Sequence, residues 1–128
     1  MRHTETQLTT ADGLKLYAQA WQPDTAPKAY VALVHGLGEH SGRYAHVAAH
    51  LATHGYATHT FDLRGHGKSP GQPRGYVNSF DNYVTDAEAL VKSVQAAAAG
   101  RPIFLMGHSM GGAIATLYII TRQPNKVR

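Results

Sequence analysis

Two short runs constrain this chain more than anything else in it. Ala29-Tyr30-Val31-Ala32-Leu33-Val34 and Ile103-Phe104-Leu105-Met106 are continuously apolar, which is how a strand covered on both faces reads. Segments of helical period lie around them. Ser41–His54 places Tyr44, Val47, Ala48 and Leu51 at i, i+3, i+4 and i+7 and stops at Gly55. Phe80–Ala99 carries an apolar face of Phe80, Tyr83, Ala87, Leu90, Val91 and Val94, with Ser79 as N-cap and Gly100 as terminator. A third helix starts near Met110 and ends before Pro124. Tyr56–Phe61 is a further strand, and Leu14–Trp21 alternates as a half-buried one, joined through Asp12-Gly13 to a partner at Glu5–Thr9. Strands alternating with helices of this length predict an α/β fold with a mostly parallel sheet flanked by helices. Val127 reads as the first residue of another strand.

The rest of the composition removes whole classes of function. There is no cysteine, so thiol catalysis, disulfides and thiolate metal sites are excluded together. Twelve basic residues against eight acidic ones give a net charge of +4. The basic residues are scattered and form no stripe with interleaved aromatics, which argues against a nucleic-acid partner. No apolar run is long enough for a transmembrane segment. Met1–Gln7 lacks the apolar stretch of a secretory signal, and the expected localisation is cytoplasmic.

The chemistry sits where the second apolar run ends. Gly107-His108-Ser109-Met110-Gly111 is G-x-S-x-G between a buried strand and a helix. Reversing the chain there within about one residue strains the serine and projects its Oγ from the sheet's C-terminal edge. It also crowds the flanking positions, hence Gly107 and Gly111. An acyl-transfer serine needs two donors for its oxyanion. One expected donor is the N–H of Met110. The other is the N–H of Leu37, in the loop His35-Gly36-Leu37-Gly38 that ends the first apolar run.

Three stretches then carry a resemblance. His35-Gly36-Leu37-Gly38-Glu39-His40-Ser41-Gly42-Arg43-Tyr44, Asp62-Leu63-Arg64-Gly65-His66-Gly67-Lys68-Ser69 and Gly107-His108-Ser109-Met110-Gly111-Gly112 occur in this order. Together they resemble the monoacylglycerol lipase and lysophospholipase branch of the α/β-hydrolases, whose relatives are often described as serine aminopeptidase-like. The resemblance implies an eight-stranded, mostly parallel sheet, a lid after the sixth strand, and hydrolysis of carboxylic esters without cofactor or metal. It also implies Ser109 as nucleophile with Leu37 and Met110 as oxyanion donors. The substrate expected is a small, lipid-like ester.

In the resembled family the order is Ser, then Asp, then His. Met110–Arg128 contains no Asp, Glu or His. Residues 1–128 are therefore expected to be the N-terminal part of an α/β-hydrolase domain, without the lid and without the catalytic Asp and His, and inactive alone. The missing C-terminal half is then a partner of this chain. Upstream substitutes read poorly: His35 and His66 belong to loop motifs, and Asp62 and Asp86 are poor candidates for the catalytic acid. His46, His50 and His54 lie at i, i+4 and i+8. Such a row can bind metal, but it sits off the apolar face and reads as solvated. Two other functions stay open, a peptidase or amidase of the same fold and a non-catalytic truncated chain. The strand at Ile103–Met106 is expected to form an open edge, leaving Ile114, Leu117, Tyr118 and Ile120 partly in water.

Overall fold

The computed structural model describes all residues, Met1–Arg128. Five strands, β1 (Arg2–Thr9), β2 (Lys15–Gln22), β3 (Ala29–Val34), β4 (Tyr56–Phe61) and β5 (Ile103–Gly107), form one sheet in the order β1-β2-β4-β3-β5. The hairpin β1–β2 and the pair β2–β4 are antiparallel, while β4–β3 and β3–β5 are parallel. The sheet of these residues is thus mixed, and its parallel half carries the loops of interest. Tyr30 pairs with Ile103 and Val34 with Gly107, so β3 and β5 end side by side at one edge.

Three helices flank the sheet: α1 (Ala45–Thr53), preceded by a 3₁₀ turn at Ser41–Tyr44, α2 (Phe80–Ala98) and α3 (Met110–Arg122). The helix expected from Ser41 therefore begins as a tighter turn. Ser79 holds the extended backbone of an N-cap, but its side chain makes no capping bond. Alternation along β3 sends Tyr30, Ala32 and Val34 into an 18-residue core with Tyr83, Val84, Leu90, Val91 and Val94 of α2 and Ile114 and Tyr118 of α3. Each Val, Leu or Ile side chain among them contributes about 1.5–3 kcal/mol when fully buried. α1 packs over β4 and β2 through Ala48 and Ala52.

The outer edge of β5 differs from expectation in two respects. Ile114 and Tyr118 are buried, because α2 covers them; Leu117 and Ile120 are exposed as expected. Val127 forms a parallel bridge with Ile103, and Arg128 exchanges backbone hydrogen bonds with Ile103 and Leu105, at 3.0 and 2.6 Å. The edge is therefore partly paired, through an isolated bridge at Val127 rather than a further strand. Phe104 and Met106, on the other face of β5, are exposed.

A buried ion pair fastens α2 to the rest. Arg64 donates through Nε and Nη2 to both oxygens of Asp86, at 2.7 and 2.9 Å, and reaches Asp12 in the β1–β2 turn at 2.9 Å. Asp86 has no exposed surface. No helix is long and apolar enough to cross a membrane.

Candidate active site

Ser109 stands between β5 and α3 with φ +56° and ψ −120°. This is a left-handed-side φ that costs a non-glycine residue of order 1–3 kcal/mol, so the surroundings must enforce it. They do so by close packing. A Cβ on Gly107 would lie 2.3 Å from the carbonyl oxygen of Gly111, and one on Gly111 would lie 2.1 Å from that of Val34. The elbow is pressed against the end of β3 and fixed there by the His108 N–H, which donates to Val34 O at 3.1 Å. The expected crowding at Gly107 and Gly111 is present, and for Gly111 its main source is the β3 backbone.

The second loop lies against the first. A Cβ on Gly36 would fall 3.2 Å from Ser109 Cβ and 3.1 Å from His108 O. Gly36–Glu39 is a tight turn: the Glu39 N–H donates to Gly36 O at 3.2 Å, with Gly38 at φ +73°. That geometry, with a glycine of positive φ third, is a type II turn. The side chain closes it again, because Glu39 Oε1 accepts the Gly36 N–H at 2.7 Å. The Leu37 N–H takes part in neither bond. At the start of α3 the N–H groups of Gly111, Gly112 and Ala113 donate to His108 O and Ser109 O. The Met110 N–H, the first of a helix, has no partner within its own helix. Neither the Leu37 nor the Met110 N–H is engaged in a hydrogen bond, and the exposed Ser109 stands at the positive end of a helix dipole.

Glu39 is the residue that sequence reading passed over. Its Oε1 also accepts the Tyr44 hydroxyl at 2.8 Å and His108 Nδ1 at 3.2 Å, while Arg43 pairs with Oε2 at 3.4 Å. Burial works to raise this carboxyl, but the hydrogen bonds from Gly36, Tyr44 and His108 outweigh it and hold it down at about 2. Glu39 is three residues after Gly36, the spacing at which a side chain can reach back to a turn's first N–H, and that was the available signal. His108 therefore faces Glu39 rather than Ser109.

None of the upstream candidates is arranged as a base or acid for Ser109. His35 is fully buried; its Nε2 accepts the Leu63 N–H at 3.0 Å, which leaves Nδ1–H to donate to Gly36 O at 2.7 Å. Burial also pushes its pKa down, so it is a neutral strut beneath the loop. His66 directs Nδ1 to Arg64 O at 3.0 Å, and its Nε2 is buried without a partner. Asp62 accepts the N–H groups of Ser41 and Lys68, at 2.7 and 2.9 Å, and Asp86 is committed to Arg64. A cavity of about 340 Å³ lies between β1, β2 and α2 and does not touch Ser109.

The family described as "Serine aminopeptidase, S33" matches residues 25–128. The monoglyceride lipase of Homo sapiens is 44% identical over 110 residues, covering 86% of this chain and 36% of the human protein. The monoacylglycerol lipase of Mycolicibacterium smegmatis is 38% identical over 106 residues, covering 83% of this chain and 38% of its own. Among solved structures, a thermostable carboxyl esterase from Bacillus coagulans superposes with a TM-score of 0.86 at 29% identity, over 99% of this chain and 42% of that one. A soluble variant of monoglyceride lipase from Saccharomyces cerevisiae, in complex with a substrate analog, gives 0.85 at 29%, with the same coverage. The chain thus spans little more than a third of the length of these two lipase relatives.

Proposed function

From the premise that this chain belongs to the Serine aminopeptidase, S33 family of α/β-hydrolases, we propose that it is the nucleophile-bearing part of a serine hydrolase of carboxylic esters. The substrates are monoacylglycerol- or lysophospholipid-like. Ser109 Oγ attacks the ester carbonyl and forms an acyl–oxygen bond. The N–H groups of Leu37 and Met110 hold the resulting oxyanion. The serine proton passes through a histidine, oriented by an aspartate, to the leaving alcohol as the ester C–O bond breaks. Water then releases the acid from the acyl-enzyme. The histidine, the aspartate and the enclosing lid come from polypeptide outside residues 1–128. Glu39 positions the Leu37 N–H through the turn it closes.

The observation that carries this reading is the Ser109 backbone, held at φ +56° between β5 and α3 with the residue exposed and the Gly36 turn packed against it. The names of the relatives, lipases and esterases alike, favour an ester. The description of the family itself favours a second reading, a peptidase acting through the same serine.

The test is a hybrid in which residues 1–128 replace the matching part of Saccharomyces cerevisiae monoglyceride lipase. The expected result is monoacylglycerol hydrolysis that falls by about 10³-fold or more in Ser109→Ala. Residues 1–128 alone should hydrolyse p-nitrophenyl esters negligibly, because a serine without its base is a weak nucleophile. A folded hybrid that cleaves aminoacyl amides but no ester would favour the peptidase. A hybrid whose activity survives Ser109→Ala would end both readings.

A further inference from the structure

The end of α1 holds a second arrangement, on a different part of the chain and independent of the hydrolase reading. His50 lies in the last turn of the helix and His54 is its C-cap. Both are exposed, and their ring centres lie 4.7 Å apart with planes tilted by 48°. We infer that His50 and His54 form a two-imidazole site for a divalent transition-metal ion of the copper, nickel or zinc type.

The spacing suits a shared ion. A metal–nitrogen bond of about 2.0–2.1 Å puts the ion about 3.2 Å from each ring centre, so two imidazoles meeting it at about 90–110° have centres about 4.5–5.2 Å apart. The observed distance falls inside that range without any movement of the helix.

Hydrogen bonding also prepares one of the ligands. The Thr53 hydroxyl donates to His50 O at 2.6 Å, which places its proton there. His54 Nδ1 lies 3.0 Å from that carbonyl oxygen and 3.1 Å from Thr53 Oγ1. Nδ1 therefore carries the ring proton, and the lone pair is on Nε2. A metal-binding histidine is ordinarily oriented in this way, with its other nitrogen donating to a backbone carbonyl. His50 makes no ring hydrogen bond and is free to turn.

Electrostatics add to this. The negative end of the helix dipole favours a cation there, although the His50, Leu51 and Ala52 carbonyls already accept hydrogen bonds. Lys28 passes the same end, close to Gly55 and over the Tyr56 ring, and opposes it in part. No third His, Cys, Asp or Glu completes a cage. Water then fills the remaining positions, and the order of affinity follows the intrinsic one, Cu²⁺ above Ni²⁺ and Zn²⁺. His46, one turn earlier on the same row, is a bystander.

The test is titration of the purified chain, N-terminally acetylated so that the Met1 amine and His3 offer no rival chelate, with CuCl₂, NiCl₂ and ZnCl₂, followed by calorimetry and by thermal melting. The expected result is one ion per chain, with Cu²⁺ tightest and a rise in melting temperature on binding. His50→Ala and His54→Ala should each weaken Cu²⁺ at least tenfold, and His46→Ala should change it less than threefold. All three side chains are exposed, so the variants keep the fold, which the unliganded melt verifies. With the amino terminus blocked, Cu²⁺ binding that persists unchanged in His50→Ala and His54→Ala would place the ion elsewhere and overturn the assignment. Absence of binding at millimolar metal would overturn it as well.

Discussion

The two sides of β5 are built differently. Toward β3 and around the elbow there is little room for an added carbon: a Cβ on Gly107 would meet the Gly111 backbone, one on Gly111 the Val34 carbonyl, and one on Gly36 Glu39, His108 and Ser109. Away from β3, the same strand meets only Val127 and Arg128, and Phe104, Met106, Leu117 and Ile120 stand exposed. The difference separates what is locally encoded from what is not. The Ser109 backbone conformation, the Gly36–Glu39 turn and the start of α3 are all set by contacts within residues 1–128. On the function proposed above, activation of the hydroxyl is not among them.

The closed side should be intolerant and the open side permissive. The largest effect is expected at the ion pair that fastens this region to α2. Asp86→Ala leaves the Arg64 guanidinium without its buried partner and should destabilise the fold by about 3–5 kcal/mol, read by urea unfolding. A change within the noise would show that Arg64 finds water or Asp12 sufficient.

Two adjacent glycines give a sharper contrast. In Gly111→Ala the new methyl group meets Val34 O, and β3 and α3 must part; the expected cost is about 1–3 kcal/mol or more. In Gly112→Ala the nearest neighbour is 3.4 Å away. There the better helix propensity of alanine should stabilise by about 0.5–1 kcal/mol. Equal effects of the two would contradict the packing described.

Acid should weaken the closed side through Glu39. The hydrogen-bonded carboxyl titrates at about 2 in the fold and at about 4.3 in an unfolded chain. Its stabilising contribution is therefore complete above the unfolded value and is lost as pH falls from about 4 toward 2. Asp12, held low by Arg64, acts in the same direction, whereas burial raises Asp86 and makes it act oppositely. Glu39→Gln should flatten the loss of stability over that window. The exposed rim should respond least. Ile120→Lys is expected to change stability by no more than about 0.5 kcal/mol while increasing the monomer fraction in size-exclusion chromatography.

The sequence was most readable where pattern and breaker coincide. β4 at Tyr56–Phe61 and α3 at Met110–Arg122 lie where the apolar runs and the flanking glycine and proline place them. The elbow was legible because G-x-S-x-G is meaningful only between a strand and a helix. Less readable were features decided by partners distant in the chain. β1 reaches back to Arg2 because β2 pairs with it along its whole length. Ile114 and Tyr118 are buried by α2, which the apolar stripe of α3 alone could not indicate. Glu39 looked like any charged loop residue, since its partner His108 lies 69 positions away.

The central claim is that Ser109 is the nucleophile and that its activation is supplied from outside these residues. The most direct measurement treats two proteins with a fluorophosphonate probe: the lipase hybrid carrying residues 1–128, and residues 1–128 alone. Peptide mapping by mass spectrometry then locates the adduct. The account predicts one adduct on the Ser109 peptide of the hybrid and none on the isolated chain. An adduct on another serine of the hybrid, or equally fast labelling of the isolated chain, would contradict it.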